Sequence, residues 1–201
     1  VQKGDATGDL RAYGLYFNGA GALVGVVADA DREYLVQTDA NAVVKPGEWT
    51  HVALVADRTA GTMTLLVNGV AVKSASLKTF SGQITPGRAT AAKMLVGHLQ
   101  RSDQAFGMFE GAIDEVRLWS TARTAQQIRD GMTAPVVAGT AGLVVGLPLD
   151  GTPLPANAAA RDLNPNGVSG RIEVAGDSRT YSFTLRNDTS LLFDSLTSNA
   201  S

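Results

Sequence analysis

The chain has 201 residues, a formal net charge of −2 at pH 7 and no cysteine, so it has no disulfide framework, thiolate nucleophile or cysteine-ligated metal. The near balance of 17 basic and 19 acidic side chains provides no electrostatic footprint for nucleic acid or for an anionic membrane. No apolar run approaches the roughly 20 residues of a membrane-spanning helix, so we expect no membrane insertion.

Short apolar stretches separated by turn signals occupy the beginning of the chain. Residues 13–17 run into Asn18-Gly19, and another apolar stretch, 22–27, follows. This arrangement predicts a β-hairpin with a type I′ turn, because both central residues of that turn need positive φ. A further strand is predicted at 33–36.

The middle of the chain has the regular strand and turn spacing of an antiparallel sandwich. Residues 49–57, which include Trp49, have little polarity on either face and predict a strand buried on both sides. Residues 63–67 form a second predicted strand, which turns at Asn68-Gly69 and returns through 70–72. Such spacing is typical of β-sandwich domains.

Two more predicted strands, 92–97 and 108–119, precede the only convincing helix. Thr124 is its expected N-cap, and Gln127 stands three residues later, where it completes a capping box. Beyond the helix, small residues predict a connector, and alternating stretches predict further strands. These C-terminal strands are expected near 142–151, 170–174, 179–185 and 190–196.

Five segments occur in an order that resembles a known family. They are 47–55, 65–69, 95–97, 109–119 and the helix that contains Gln127-Ile128. Together they resemble the laminin-G-like, concanavalin A-like jelly-roll modules of large bacterial extracellular proteins. The resemblance implies an all-β fold, an antiparallel jelly-roll β-sandwich with one short helix and extra C-terminal strands.

The predicted domain organisation follows from where the resemblance ends. The body of the module covers residues 1–133 and lacks the family's usual opening strands, and 134–142 forms a linker. Residues 143–171 are similar to an opening strand, which either completes the first sheet or starts a second module. Residues 172–201 are predicted to begin a further β-sandwich repeat. Because the chain begins without an initiator Met, we expect it to be cut from a longer polypeptide.

The resemblance implies a non-catalytic binding or adhesion module of a secreted or cell-surface bacterial protein, which recognises a glycan or an extracellular protein. A structural spacer and a glycan hydrolase of the same fold are the alternatives. Hydrolysis would need two carboxylates that flank one bond. The nearest acidic cluster, Glu110, Asp114 and Glu115, does not place two of them on one strand face at short range. We therefore predict no catalytic residue.

Aromatic side chains are the first candidates for a sugar site, because a ring face stacks on the apolar face of a pyranose. Tyr13, Tyr16 and Tyr34 lie in the first strands and are predicted to form such a platform. His98, at the end of a strand, is expected to face a loop-lined site. The tryptophans stand in runs that are typical of a core.

Calcium is the one cofactor that the residues suggest. In the segment 162–173, Asp162, Asn164 and Asn166 supply oxygen at positions one, three and five of a twelve-residue calcium loop, and Glu173 supplies it at position twelve. An ordinary Asn/Gly-rich turn explains the same residues.

The resemblance implies a second calcium candidate at Asp114. In the family, the matching acidic residue lies near a calcium site that the opening strand completes. Here Asp150 or Asp162 would have to replace that missing partner.

Overall fold

The chain folds into two β-sheets packed face to face, with a small hairpin and one helix. The computed structural model describes residues 1–3, 11–29, 32–41, 43–78, 94–101, 104–106, 109–134, 137, 139–149, 161–162, 179–182 and 191–199. We number the strands in chain order. We call the seven-stranded sheet the front sheet and the six-stranded sheet the back sheet.

The described strands divide between the two sheets as follows. The front sheet contains β1 (Gln2–Lys3), β2 (Tyr13–Phe17), β3 (Leu23–Ala28), β4 (Glu33–Gln37), β8 (Met94–Val96), β13 (Arg161–Asp162) and β14 (Arg179–Ser182). The back sheet contains β5 (Thr50–Asp57), β6 (Thr62–Val67), β7 (Val70–Ser76), β11 (Gly111–Trp119), β12 (Leu143–Leu147) and β15 (Leu191–Asn199). The hairpin pairs β9 (Leu99–Arg101) with β10 (Gln104–Phe106).

The strands β2-β3-β4 lie at one edge of the front sheet, and the strands β5-β6-β7 lie at one edge of the back sheet. The spatial order is β13-β14-β8-β1-β2-β3-β4 in the front sheet and β12-β11-β15-β5-β6-β7 in the back sheet. Among the described pairs, β13 and β14 run parallel and the others run antiparallel. The predicted all-β antiparallel sandwich with one short helix is therefore confirmed.

The main core lies between the sheets and is built from alternate residues of the strands, as the period of two along a strand requires. Its buried members include Leu15, Leu23, Val27, Val36, Val52, Leu54, Ala56, Met63, Leu65, Met94, Val96 and Leu118. The two sheets approach closely at Gly25, where a Cβ atom would lie 2.6 Å from Leu54 Cδ1. A side chain at this position would enter space that the opposite sheet already fills.

Helix α1 (Ala125–Gly131) packs on the outer face of the back sheet. The predicted capping box is present: the Thr124 hydroxyl accepts from the Gln127 backbone N–H at 3.2 Å, and the Gln127 side chain accepts from the Thr124 N–H at 2.9 Å. Ile128 is fully buried in a second apolar cluster with Trp119, a burial that contributes about 2 kcal/mol. Within the described ranges, no helix is long and apolar enough to cross a membrane.

The Asn-Gly sequences at 18–19 and 68–69 form different turns. Asn68 and Gly69 have φ values of 47° and 71°, as a two-residue type I′ turn requires. The predicted type I′ turn at Asn18-Gly19 is wrong, although the hairpin itself is present. There the Asn18 side chain accepts from the backbone N–H groups of Ala20 and Ala22, and this longer loop has its positive φ at Gly21.

Trp49 differs from its prediction as a core residue. Its side chain is 53% exposed, whereas Trp119 is 2% exposed as predicted. Trp49 lies one residue before the start of β5, so it is outside the part of the strand that is buried on both faces.

The described C-terminal strands pair with the two sheets. β12, within 143–171, pairs with β11, β14 pairs with β8, and β15 lies between β11 and β5. The division into 1–133, 134–142, 143–171 and 172–201 stays a prediction.

Candidate functional site

The three candidate tyrosines lie on different sides of the front sheet. Tyr13 and Tyr16 are three residues apart on β2, so strand alternation sends them to opposite faces. Tyr13 is fully buried and Tyr34 is 9% exposed, both in the core between the sheets. The prediction that these two rings bind a sugar is therefore wrong, because neither ring has a face that a ligand can reach.

Tyr34 instead stabilises the connection between β3 and β4. Its hydroxyl donates to Asp29 Oδ2 at 3.0 Å and accepts from Arg32 Nε at 3.1 Å. The Asp29 Oδ1 atom accepts from the Arg32 backbone N–H at 3.0 Å. The buried Asp29 carboxylate thus accepts hydrogen bonds from Arg32 and Tyr34, on the other side of the connection between β3 and β4.

Tyr16 lies on the outer face of the front sheet, where it is half-buried. In the sheet it pairs with Val24, which pairs in turn with Gln37. The Tyr16 hydroxyl accepts a hydrogen bond from Arg11 Nη1 at 3.0 Å. Among the three tyrosines considered, this is the one that keeps part of its ring at the surface.

Arg11 also forms a close ion pair across the sheet with Glu33. Its Nε and Nη2 atoms lie 3.1 and 3.0 Å from Glu33 Oε1 and Oε2, and its backbone N–H donates to Oε1 at 3.0 Å. The Arg11 and Glu33 side chains are 13% and 30% exposed. Burial alone would raise the pKa of Glu33, but the hydrogen bonds and charge of Arg11 outweigh it and hold that pKa below its ordinary value.

Hydrogen bonds link Arg11, Tyr16 and Glu33, and two further residues of β4 lie on the same face as Glu33. We call this set the outer-face cluster: Arg11, Tyr16, Glu33, Leu35 and Gln37. Leu35 is 51% exposed and Gln37 is exposed at the neighbouring positions of β4. The cluster therefore combines part of an aromatic ring, a guanidinium, a carboxylate, an amide and an aliphatic side chain. Such a mixture binds ligands that present both apolar and hydroxyl surface.

Arg11 and Glu33 were not among the residues predicted for a site, because they are 22 positions apart in the sequence. The register of the hairpins would have found them. β2 pairs with β3 from Tyr13↔Val27 onward, and β3 pairs with β4 through Ala28↔Glu33. Counting across these pairs brings Ala12, the residue before β2, level with Glu33 at the start of β4. Arg11 is the next residue outward, so its long side chain can reach Glu33 across β3.

His98 lies apart from the outer-face cluster. It follows β8, which β1 separates from β2, so about 10 Å of sheet lies between the strands of His98 and Tyr16. The side chain is half-buried, and burial, together with the charge of the Val1 amino group, lowers its pKa. A ligand role for His98 stays a prediction.

The acidic residues of β11 form a β-bulge. Asp114 Oδ1 accepts from the Glu115 backbone N–H at 3.0 Å, and Glu115 has a φ of 50°. Glu115 Oε2 pairs with Arg117 Nη2 at 2.7 Å, while Arg117 donates to the carbonyl oxygens of Gly131 and Ala134 at 2.6 and 2.8 Å. The bulge thus directs Arg117 beneath the end of α1.

Of the predicted calcium ligands, Asp114 is the one whose side chain belongs to the described residues. That part of the chain contains no group of three or more His, Cys, Asp or Glu side chains that could hold a metal ion. Asp114 lies in the back sheet and β13, which ends at Asp162, in the front sheet. The side chain of Asp162, and Asn164, Asn166 and Glu173, lie outside the described residues. Calcium binding stays a prediction.

Comparison with known proteins agrees with this architecture. The model of a laminin G family, described as the concanavalin A-like lectin/glucanases superfamily, matches residues 1–129. The chain therefore belongs to this superfamily. Searches of curated proteins and of solved structures found no match. Membership supports a domain that binds carbohydrate or protein.

Proposed function

We propose that the chain is a non-catalytic module that binds glycan at the outer-face cluster, within a secreted or cell-surface bacterial protein. The observation that carries the proposal is the partly exposed ring of Tyr16 beside an ion-paired guanidinium and carboxylate. A pyranose needs this combination, because its ring presents C–H groups on one face and hydroxyl groups at its edge.

The contacts within the cluster fix its geometry before a ligand arrives. Arg11 is held by Glu33 on one side and by the Tyr16 hydroxyl on the other. A ligand that meets side chains already held in place loses less conformational entropy on binding. The exposed Gln37 amide adds a donor and an acceptor at the edge of the cluster.

A glycan array with the purified protein tests the proposal. We expect saturable binding, and we expect Tyr16→Ala to weaken it about tenfold or more because the ring contact is lost. Trp49→Ala is the matched control: it removes an exposed aromatic next to the back sheet, and binding should be unchanged.

Three results would contradict the proposal. Loss of binding in Trp49→Ala but not in Tyr16→Ala would move the site to the back sheet. Absence of saturable binding to every glycan would favour a structural spacer or a protein partner. Release of reducing sugar from common polysaccharides would mean that the module is an enzyme.

A further inference from the structure

We infer that the outer-face cluster selects uncharged glycans, and that the ion pair between Arg11 and Glu33 is the element that rejects acidic ones. This inference rests on the proposed function. It concerns the chemical class of the ligand, which neither the fold nor the family fixes.

The charge of Arg11 is compensated inside the cluster. The Glu33 carboxylate accepts from the Arg11 backbone N–H, Nε and Nη2, all within 3.1 Å. The Arg11 side chain is only 13% exposed, so this pairing is partly shielded from water. Separating the two charges would leave each of them poorly solvated, which carries a large free-energy cost.

One of the two edges of the guanidinium that can hold a sugar carboxylate is already taken. A carboxylate binds arginine best through two parallel N–H groups, and Glu33 occupies Nε and Nη2 in that manner. A uronic acid would either displace Glu33 from this edge or bind the remaining N–H groups of Nη1 and Nη2, where its carboxylate would lie beside the negative charge of Glu33. Both arrangements oppose binding.

A neutral sugar can bind without disturbing the pair. The contacts with Glu33 and Tyr16 use Nε and one N–H on each terminal nitrogen, which leaves one further N–H on each. Those groups can donate to sugar hydroxyls, while the remaining lone pairs of Glu33 accept from them. A vicinal diol offers both functions at once.

The experiment compares matched neutral and acidic polysaccharides, galactan with polygalacturonate, within a broader array that contains both classes. We expect the wild-type protein to bind neutral members about tenfold or more tightly than acidic ones. Glu33→Gln keeps the shape of the side chain but leaves the Arg11 charge without its carboxylate, so the preference should shift toward acidic members. Glu48→Gln, the same change at an exposed position before β5, should leave the preference unaltered.

Salt dependence gives a second measurement that needs no variant. Binding of a neutral glycan should change little between about 0.05 and 0.5 M salt, whereas binding of a polyanion should weaken steeply. A wild-type preference for acidic glycans that still depends on Tyr16 would overturn the inference and keep the proposed function. An unchanged preference in folded Glu33→Gln would overturn the role of the ion pair. Absence of binding to both classes would overturn the proposed function and this inference together.

Discussion

At the scale of single residues, Arg117 shows how a charged side chain organises an apolar surface. It is 2% exposed, yet its guanidinium meets two backbone carbonyl groups and the Glu115 carboxylate. Lysine, a point charge on a flexible stem, would not reproduce this planar set of contacts. The acidic residues of β11, Asp114 and Glu115, therefore have a structural task.

His51 lies near the charge of Arg117, and its lowered pKa leads us to predict that the stability of the fold depends on pH. It is 2% exposed; burial first, and then the charge of Arg117, lower its pKa from 6.5 to about 4. Because the folded-state pKa lies below the unfolded one, this contribution is complete above about pH 6.5 and is lost as the pH falls toward 4. The resulting loss in the free energy of unfolding is about 3 kcal/mol.

Urea unfolding between pH 7 and 4.5 measures this effect. We expect His51→Gln to flatten the fall in unfolding free energy across that interval. His98→Gln is the control: its imidazole is only half-buried, so the slope should change less. Equal slopes in the wild type and in His51→Gln would contradict the prediction.

Gly25 gives a second residue-scale prediction. A Cβ atom there would lie 2.6 Å from Leu54 Cδ1 and 3.1 Å from Leu65 Cδ2, so Gly25→Ala overpacks the interface between the sheets. We expect a loss of about 1–3 kcal/mol in unfolding free energy. Gly14→Ala, on the adjacent strand, would meet only ordinary contacts with Tyr16 at 3.5 Å and should cost much less. Equal losses in the two variants would show that packing against Leu54 is not the cause.

At the scale of elements, the docking of α1 depends on a turn that is distant in sequence. Arg129 Nη1 donates to the Gly69 carbonyl at 2.8 Å, so the helix lies over the turn between β6 and β7. A Cβ atom at Gly69 would overlap the Arg129 side chain. The glycine is therefore needed twice, once for its positive φ and once for the close approach of the helix.

A pair of glycine variants separates these two requirements. Gly69→Ala has both costs, whereas Gly47→Ala, at a φ of 80° with nothing within 4 Å of the added Cβ, has only the backbone cost. We expect Gly47→Ala to lose about 1 kcal/mol and Gly69→Ala to lose distinctly more. Thermal unfolding of both proteins measures the difference, and equal midpoints would mean that Arg129 adapts freely.

The elements also show what the sequence can predict. The capping box at Thr124 and the turn at Asn68-Gly69 depend on neighbours within a few residues, so local chemistry was sufficient. The tyrosine platform failed because a three-residue spacing on a strand changes the face. The pairing of Arg11 with Glu33 depends on the register of two hairpins, and no local pattern records it.

At the scale of the whole molecule, calcium binding is the prediction still to be tested. We expect a bound calcium ion to raise the midpoint temperature of unfolding. An ion that binds only the folded state stabilises it by about 2.7 kcal/mol at a hundredfold excess over the dissociation constant. The comparison is unfolding in millimolar Ca²⁺ against EDTA. Glu173→Gln should abolish the shift if the predicted loop holds the ion, and Asp114→Asn should abolish it if β11 does. An unchanged midpoint in the wild type would contradict calcium binding.

The position of β15 has a consequence for how the protein is made. Leu191 pairs with Ala56 in β5, and Phe193 pairs with Leu118 in β11. This strand therefore joins two parts of the back sheet whose residues are synthesised much earlier. Until residues 191–199 leave the ribosome, β5 and β11 each lack this neighbour. Such long-range pairing gives slow folding, and exposed strand edges invite pairing with other chains. A recombinant fragment that stops at residue 129, where the family match ends, would omit the strand that joins these two parts.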